Sequence, residues 1–90
     1  MSKPLVTIEN WAVVQSVISQ SYEQLQPGKH LMGNVIGHAN LPDTLFIYTS
    51  SIVSVDRNNG VVETRNTMYQ LGRASDEYKA WECERRAEAA

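Results

Sequence analysis

Two runs rich in Val, Ile, Thr and Tyr, Leu45 to Val55 and Val61 to Leu71, flank the turn-forming stretch Arg57-Asn58-Asn59-Gly60. β-Branched and aromatic side chains suit a pleated surface and the Asn-Gly pair suits a reversal, so the pattern predicts a β-hairpin. A two-residue turn would set Asp56 against Glu63, a like-charge pair, whereas a four-residue loop from Arg57 to Gly60 avoids it. That register places Val55 opposite Val62, Tyr48 opposite Tyr69 and Phe46 opposite Leu71. It also leaves both faces apolar, with Leu45, Ile47, Val53, Val55, Val62 and Met68 on one and Phe46, Tyr48, Ile52, Val61, Tyr69 and Leu71 on the other. A sheet with one wet face alternates cleanly, so this one needs two covers. A helix supplies one; a sheet curled into a small barrel, or a second molecule in a homodimer, supplies the other.

Upstream, Trp11, Val14, Ile18, Tyr22 and Leu25 fall three or four residues apart, the spacing of one helix face, and Pro27-Gly28 ends the run. The spacing predicts a helix within Thr7 to Leu25, although Val13, Val14, Val17 and Ile18 are β-branched and would fit a strand. His30 to His38 alternates as a strand, with Gly33 and Gly37 on the Leu31/Val35 face marking a bulge or a close backbone approach. Ala39 to Asp43 reads as a loop around Pro42. From Ser75 the chain reads as a second helix. Ser75 suits the N-cap, Asp76 and Glu77 the positive end of the dipole, Arg85 and Arg86 the far end, and Tyr78 and Trp81 the buried stripe; Glu82 and Arg86 are spaced to pair. The predicted fold class is α+β. A small antiparallel sheet, open or barrel-like, is built on the central hairpin with an N-terminal helix and a short C-terminal helix, in one domain over 1–90 with 1–6 and 87–90 frayed.

Composition narrows the function classes. The chain has 90 residues, 42% hydrophobic and 20% charged, enough for one thin core. A net charge of −2 argues against a partner held mainly through phosphates, so nucleic acid is not the expected partner; Lys29, Arg57, Arg73 and the C-terminal arginines are the basic set that would serve one. Cys83 is the single cysteine, and no secretory pattern or membrane-spanning run is present, which points to a reducing cytoplasm and to no membrane partner.

Candidate chemistry is sparse. His30, His38, Asp43 and Cys83 lack the paired spacing of a metal site, and no metal or cofactor is expected. Ser50 and Ser51 have no nucleophile-elbow context, and His38 with Asp43 could serve them only by accident of folding, so no catalytic residue is assigned. Gly28-Lys29 lacks the rest of a phosphate loop. The strongest polar strip is Thr64-Arg65-Asn66-Thr67. In the predicted register Arg65 lies across from Ile52 and Asn66 across from Ser51, with Thr49 alongside, so a polar stripe crosses an apolar face. It is either an internal hydrogen-bond network or the floor of a ligand site. Trp11, Trp81, Tyr22 and Tyr78 read as helix packing or as interface anchors, and the exposed acids Asp76, Glu77, Glu82 and Glu84 as a solvated helix face or a phosphate-like surface.

The stretch Ile47-Tyr48-Thr49-Ser50-Ser51-Ile52, followed by Val62-Glu63-Thr64-Arg65-Asn66-Thr67-Met68-Tyr69-Gln70-Leu71-Gly72 and approached by Gly33-x-Val35-x-Gly37-His38, resembles a hairpin pattern of small uncharacterised proteins of proteobacteria, especially pseudomonads, and of their phages and prophages. The resemblance covers roughly residues 28–72 and leaves Met1 to Gln26 outside. It carries no activity. It implies a context in which small acidic proteins bind host proteins, including antiviral-defence complexes, without catalysis. The expected function is therefore a non-enzymatic, anti-CRISPR-like inhibitor or modulator of a host protein or complex. The alternative is sequestration of a small anionic ligand, such as a signalling nucleotide, at a polar pocket or dimer interface. Arg65, Asn66, Thr49, Ser51, Glu77 and Trp81 are the candidate binding residues.

Overall fold

The computed structural model describes residues 3–89. Five strands, β1 (Leu5–Val14), β2 (His30–Ile36), β3 (Phe46–Asp56), β4 (Val61–Thr64) and β5 (Met68–Leu71), form a meander that closes into a barrel, and one helix, α1 (Asp76–Ala89), follows. Each consecutive pair is antiparallel. Four reversals leave β5 running in the direction of β1, so the ring closes through a parallel pairing, from Leu5 against Met68 to Ile8 against Leu71.

The α+β expectation is corrected at the N-terminus, where the predicted helix is strand β1. Its apolar spacing suited a helix, but Val6, Ile8, Val13 and Val14 are β-branched and all buried, and strand geometry accommodates them without loss of side-chain freedom. Tertiary pairing on both sides decides the matter: β1 bonds to β2 and to β5. Ile18, central to the helical reading, lies at the tip of the connection after β1 and is 96% exposed. That connection is itself a reversal, with Val14 bridged to Tyr22 and Ser16 N donating to the Ser19 carbonyl at 3.0 Å. Leu5 and Val6, expected to fray, open β1. Lys3 secures the approach, its ammonium 2.6 Å from Glu63 and 2.7 Å from the Thr64 carbonyl, and it holds the Glu63 carboxyl below the ordinary carboxylate range.

The central hairpin holds at its turn and changes beyond it. The loop spans 57–60, with Val55 opposite Val62. Asp56 closes the turn, accepting from Asn59 Nδ2 at 2.8 Å and Asn59 N at 3.3 Å, and these bonds hold its carboxyl low. The run from Val61 to Leu71, however, is two strands. β4 turns back through 65–67 onto β5, pairing Val62 with Tyr69. Thr64 and Thr67 make the clasp: Thr67's carbonyl accepts from Thr64 N at 2.8 Å and Thr64 Oγ1 at 2.9 Å. Side-chain hydroxyls that bond nearby backbone favour turns over extended ladders, which is why this polar stretch reverses. The expected Tyr48–Tyr69 and Phe46–Leu71 pairs therefore do not form. Tyr48 lies opposite Met32 and Phe46 opposite Asn34, because the first half of the 11-residue β3 belongs to β2.

The core of the barrel is built from Val6, Ile8, Val13, Leu31, Val35, Ile52, Val62 and Tyr69. Gly33 admits a close approach: a Cβ there would stand 2.8 Å from the Glu9 carbonyl oxygen and 3.0 Å from Trp11 Cα, where β1 shifts register and Asn10 adopts φ 54°. Gly37, expected to share that role, borders open space and serves a turn with φ +83°. The C-terminal helix begins as expected, Ser75 Oγ accepting from Tyr78 N at 3.1 Å. It packs on β1. The Arg86 half of the expected Glu82–Arg86 pair lies outside the described residues. Among the described residues no helix is long and apolar enough to cross a membrane.

Candidate functional site

The candidate strip from the hairpin does not assemble into a pocket. Thr49 is buried, and its Oγ1 accepts from Leu31 N at 3.1 Å while donating to the Ser50 carbonyl at 2.8 Å, filling the gap where the β2–β3 register shifts. Ser51 sits opposite His30, whose Nδ1 is 2.9 Å from the Thr49 carbonyl. Arg65 and Asn66 are exposed in the β4–β5 turn, since the last rung between β3 and β4 pairs Ile52 with Thr64. No buried side-chain nitrogen or oxygen among the described residues lacks a partner; Thr49, Thr64 and Thr67 bond internally, while Arg65 and Asn66 face outward. Thr49→Val removes the acceptor for a buried amide, and we expect it to lower stability by about 1–3 kcal/mol in chemical denaturation while leaving every binding property intact.

The other candidates are dispersed as well. Glu77 is exposed in the first turn of α1. His38 Nδ1 accepts from Asn40 N at 3.0 Å in the loop after β2, Asp43 accepts from Gly37 N at 2.9 Å, and Cys83 is exposed on α1. Among the described residues no three His, Cys, Asp or Glu side chains converge on a common point. All three lysines face carboxylates: Lys3 with Glu63, Lys29 with Glu23 at 3.4 Å, and Lys79 with Asp76 at 3.8 Å.

Trp81, by contrast, leads to a groove. Tyr78, Trp81, Glu82 and Arg85 recur at helical spacing and line a cavity of about 420 Å³ together with Trp11, Gln24, Leu25 and Arg57. Tyr78 is fully buried and donates its hydroxyl to the Glu23 carbonyl at 2.5 Å, tying the helix to the segment after the β1 reversal. Around it stand Trp11 at 5.6 Å, Tyr22 edge-on at 5.5 Å and Trp81 stacked at 5.5 Å between ring centroids. The Trp11 indole donates to the Gly72 carbonyl at 3.1 Å. Arg85 lies 5.1 Å over the Trp81 ring, a cation–π distance. The Gln24 amide, oriented with its oxygen toward α1, accepts from Arg85 Nη1 and Nη2 at 3.0 and 2.7 Å. Arg57 reaches across from the β3–β4 turn to donate to the Leu25 carbonyl at 2.5 Å. Burial raises the Tyr78 phenol above its ordinary value, Glu82 and Glu23 act in the same sense, and Arg85 and Arg57 oppose it, so four charges bear on one hydroxyl.

A second surface is the outer face of β2 and β3. Phe46 and Tyr48, 45% and 37% exposed, meet edge-to-face at 5.5 Å, with Ile36 exposed diagonally across the ladder and Met32 opposite Tyr48. This is the half of the apolar hairpin that the barrel leaves uncovered.

Sequence reasoning missed Arg57 and Arg85 as groove residues. The one available signal was that Glu82 and Arg85 share the helical stripe of Tyr78 and Trp81, where a purely structural stripe would be apolar. No protein-family model, curated protein or solved structure matches the chain.

Proposed function

We propose that this chain is a non-enzymatic binding protein of phage or prophage origin that inhibits or modulates a host protein, with an antiviral-defence complex as the target class. The observation that carries the reading is the exposed Phe46–Tyr48 pair beside Ile36 on the outer sheet face. Aromatic side chains on a rigid sheet lose little freedom on docking and are the usual anchors of protein interfaces. In this reading recognition runs through these side chains rather than through strand pairing.

The test is paired capture from host lysate with the wild-type chain and with Phe46→Ala and Tyr48→Ala. Both side chains are substantially exposed, so melting temperature should hold. A stoichiometric partner should fall at least about tenfold in recovery with either variant, the loss expected of an interface anchor. Equal recovery by wild type and both variants, or no stoichiometric partner at all, would reject the reading. Light scattering on the same proteins separates the remaining occupant: a concentration-dependent dimer abolished by Tyr48→Ala would assign the face to a second copy of this chain instead.

A further inference from the structure

The groove between α1 and the barrel has a composition that helix packing alone does not require. A seam that only held the helix would be closed with apolar side chains, yet this one brings two guanidiniums, a carboxylate and an amide to the edge of an aromatic cluster and leaves about 420 Å³ open. That volume falls within the range of small-ligand sites. Among the described residues neither Arg57 nor Arg85 forms an ion pair with a carboxylate, whereas all three lysines do. Arg57 is bonded to one backbone carbonyl and Arg85 to one amide oxygen, so each planar fork keeps donors in hand. In a chain of net charge −2, the groove lining carries two positive charges against the one negative charge of Glu82.

We infer that the groove binds a free nucleoside monophosphate, its planar base against the Trp11 indole and its phosphate between Arg57 and Arg85, the latter held over Trp81. Indole faces stack on any base, and guanidinium forks match phosphate oxygens with paired hydrogen bonds. Gln24 and Glu82 also line the groove and add amide and carboxylate hydrogen-bonding groups to it. The site involves none of the Phe46–Tyr48 face, so it stands or falls apart from the docking reading.

The experiment has a built-in reporter, because Trp11 and Trp81 are the chain's only two tryptophans and both line the groove. Titrating the intact protein with AMP, GMP, CMP and UMP should quench tryptophan emission saturably for at least one of them, with calorimetry giving one site per chain. Arg57→Ala and Arg85→Ala, both exposed positions, should each weaken that binding by about tenfold or more with unchanged circular dichroism. The matching nucleoside and inorganic phosphate should each bind at least about tenfold more weakly than the nucleotide, since each makes half the contacts. Phe46→Ala should leave the titration unchanged. No saturable quenching at millimolar nucleotide would overturn the proposal. So would equal binding of nucleoside and nucleotide, or affinity that grows stepwise with the length of a single-stranded oligonucleotide, which would assign the groove to a strand.

Discussion

Tyr78→Ala should lower the stability of the fold by about 3–5 kcal/mol, the range for truncating a fully buried aromatic side chain. A domain of this size has roughly 5–13 kcal/mol in total, so the variant should lose about half of it, and its midpoint should drop by about 4–8 °C for each kcal/mol. The effect is large because one ring joins three parts of the chain: α1, which carries it, Trp11 of β1, and Glu23 beyond the reversal. Tyr78→Phe keeps the packing and removes the hydroxyl bond, and should cost about 1 kcal/mol. It should also change the alkaline limb of stability. The phenol is raised in the folded state, so above its unfolded value of about 10 the native chain keeps a proton that the unfolded chain releases. The phenol's contribution to stability is then level below about pH 10 and falls as pH rises beyond it; in Tyr78→Phe the alkaline fall should be shallower, with the buried Tyr69 supplying what remains. Chemical denaturation at a series of pH values measures all of this, and an alanine variant within 1 kcal/mol of wild type by that measurement would show that the helix is not anchored through this ring.

The second large effect is expected at Gly33. A methyl group there meets the Glu9 carbonyl and Trp11 Cα, both backbone, so relief requires β1 itself to move. Gly33→Ala should cost about 1–3 kcal/mol, the range for overpacking a tight interior, and Gly33→Val more. Gly37→Ala is the control, since its neighbourhood is empty and only its positive φ opposes a side chain. It should cost about 1 kcal/mol. Equal losses at the two positions would mean that dihedral strain, not the approach of β1, accounts for the glycine.

Much of the fold was legible where local and tertiary preferences agree. The loop at 57–60 followed from a charge conflict between Asp56 and Glu63, and the C-terminal helix from Ser75 and the acids behind it. The N-terminal segment was not legible, because Trp11, Val14, Ile18, Tyr22 and Leu25 keep helical spacing although they belong to a strand, a reversal and a loop; what made β1 a strand is its pairing with β5, more than fifty residues away. The reversal at 65–67 was hidden for a related reason: extended β-formers surround Thr64-Arg65-Asn66-Thr67, and only the Thr64–Thr67 clasp shows it to be turn chemistry. The candidate site suffered most. Thr49 and Ser51 stand out for polarity on an apolar strand, and the polarity of Thr49 serves the barrel. The groove draws on Trp11, Gln24, Arg57 and Arg85, four segments that only the closed structure brings together; the sequence offers the aromatic anchors and the arginines separately, and beyond the helical stripe of α1 no spacing joins them.

The parallel seam between the first and last strands has a kinetic consequence. Every other pairing in the ring joins neighbours in sequence and can form as the chain lengthens, but Leu5 cannot meet Met68 until β5 has been synthesised. Closing so long a loop is entropically slow, and contacts of this separation set the rate at which small domains fold. During translation β1 therefore stands with one side of its backbone unsatisfied, next to Val6 and Ile8, until the Met68–Leu71 segment leaves the ribosome. That interval is when the chain is most open to strand capture by another copy of itself, and pairing of β5 with β1 ends it.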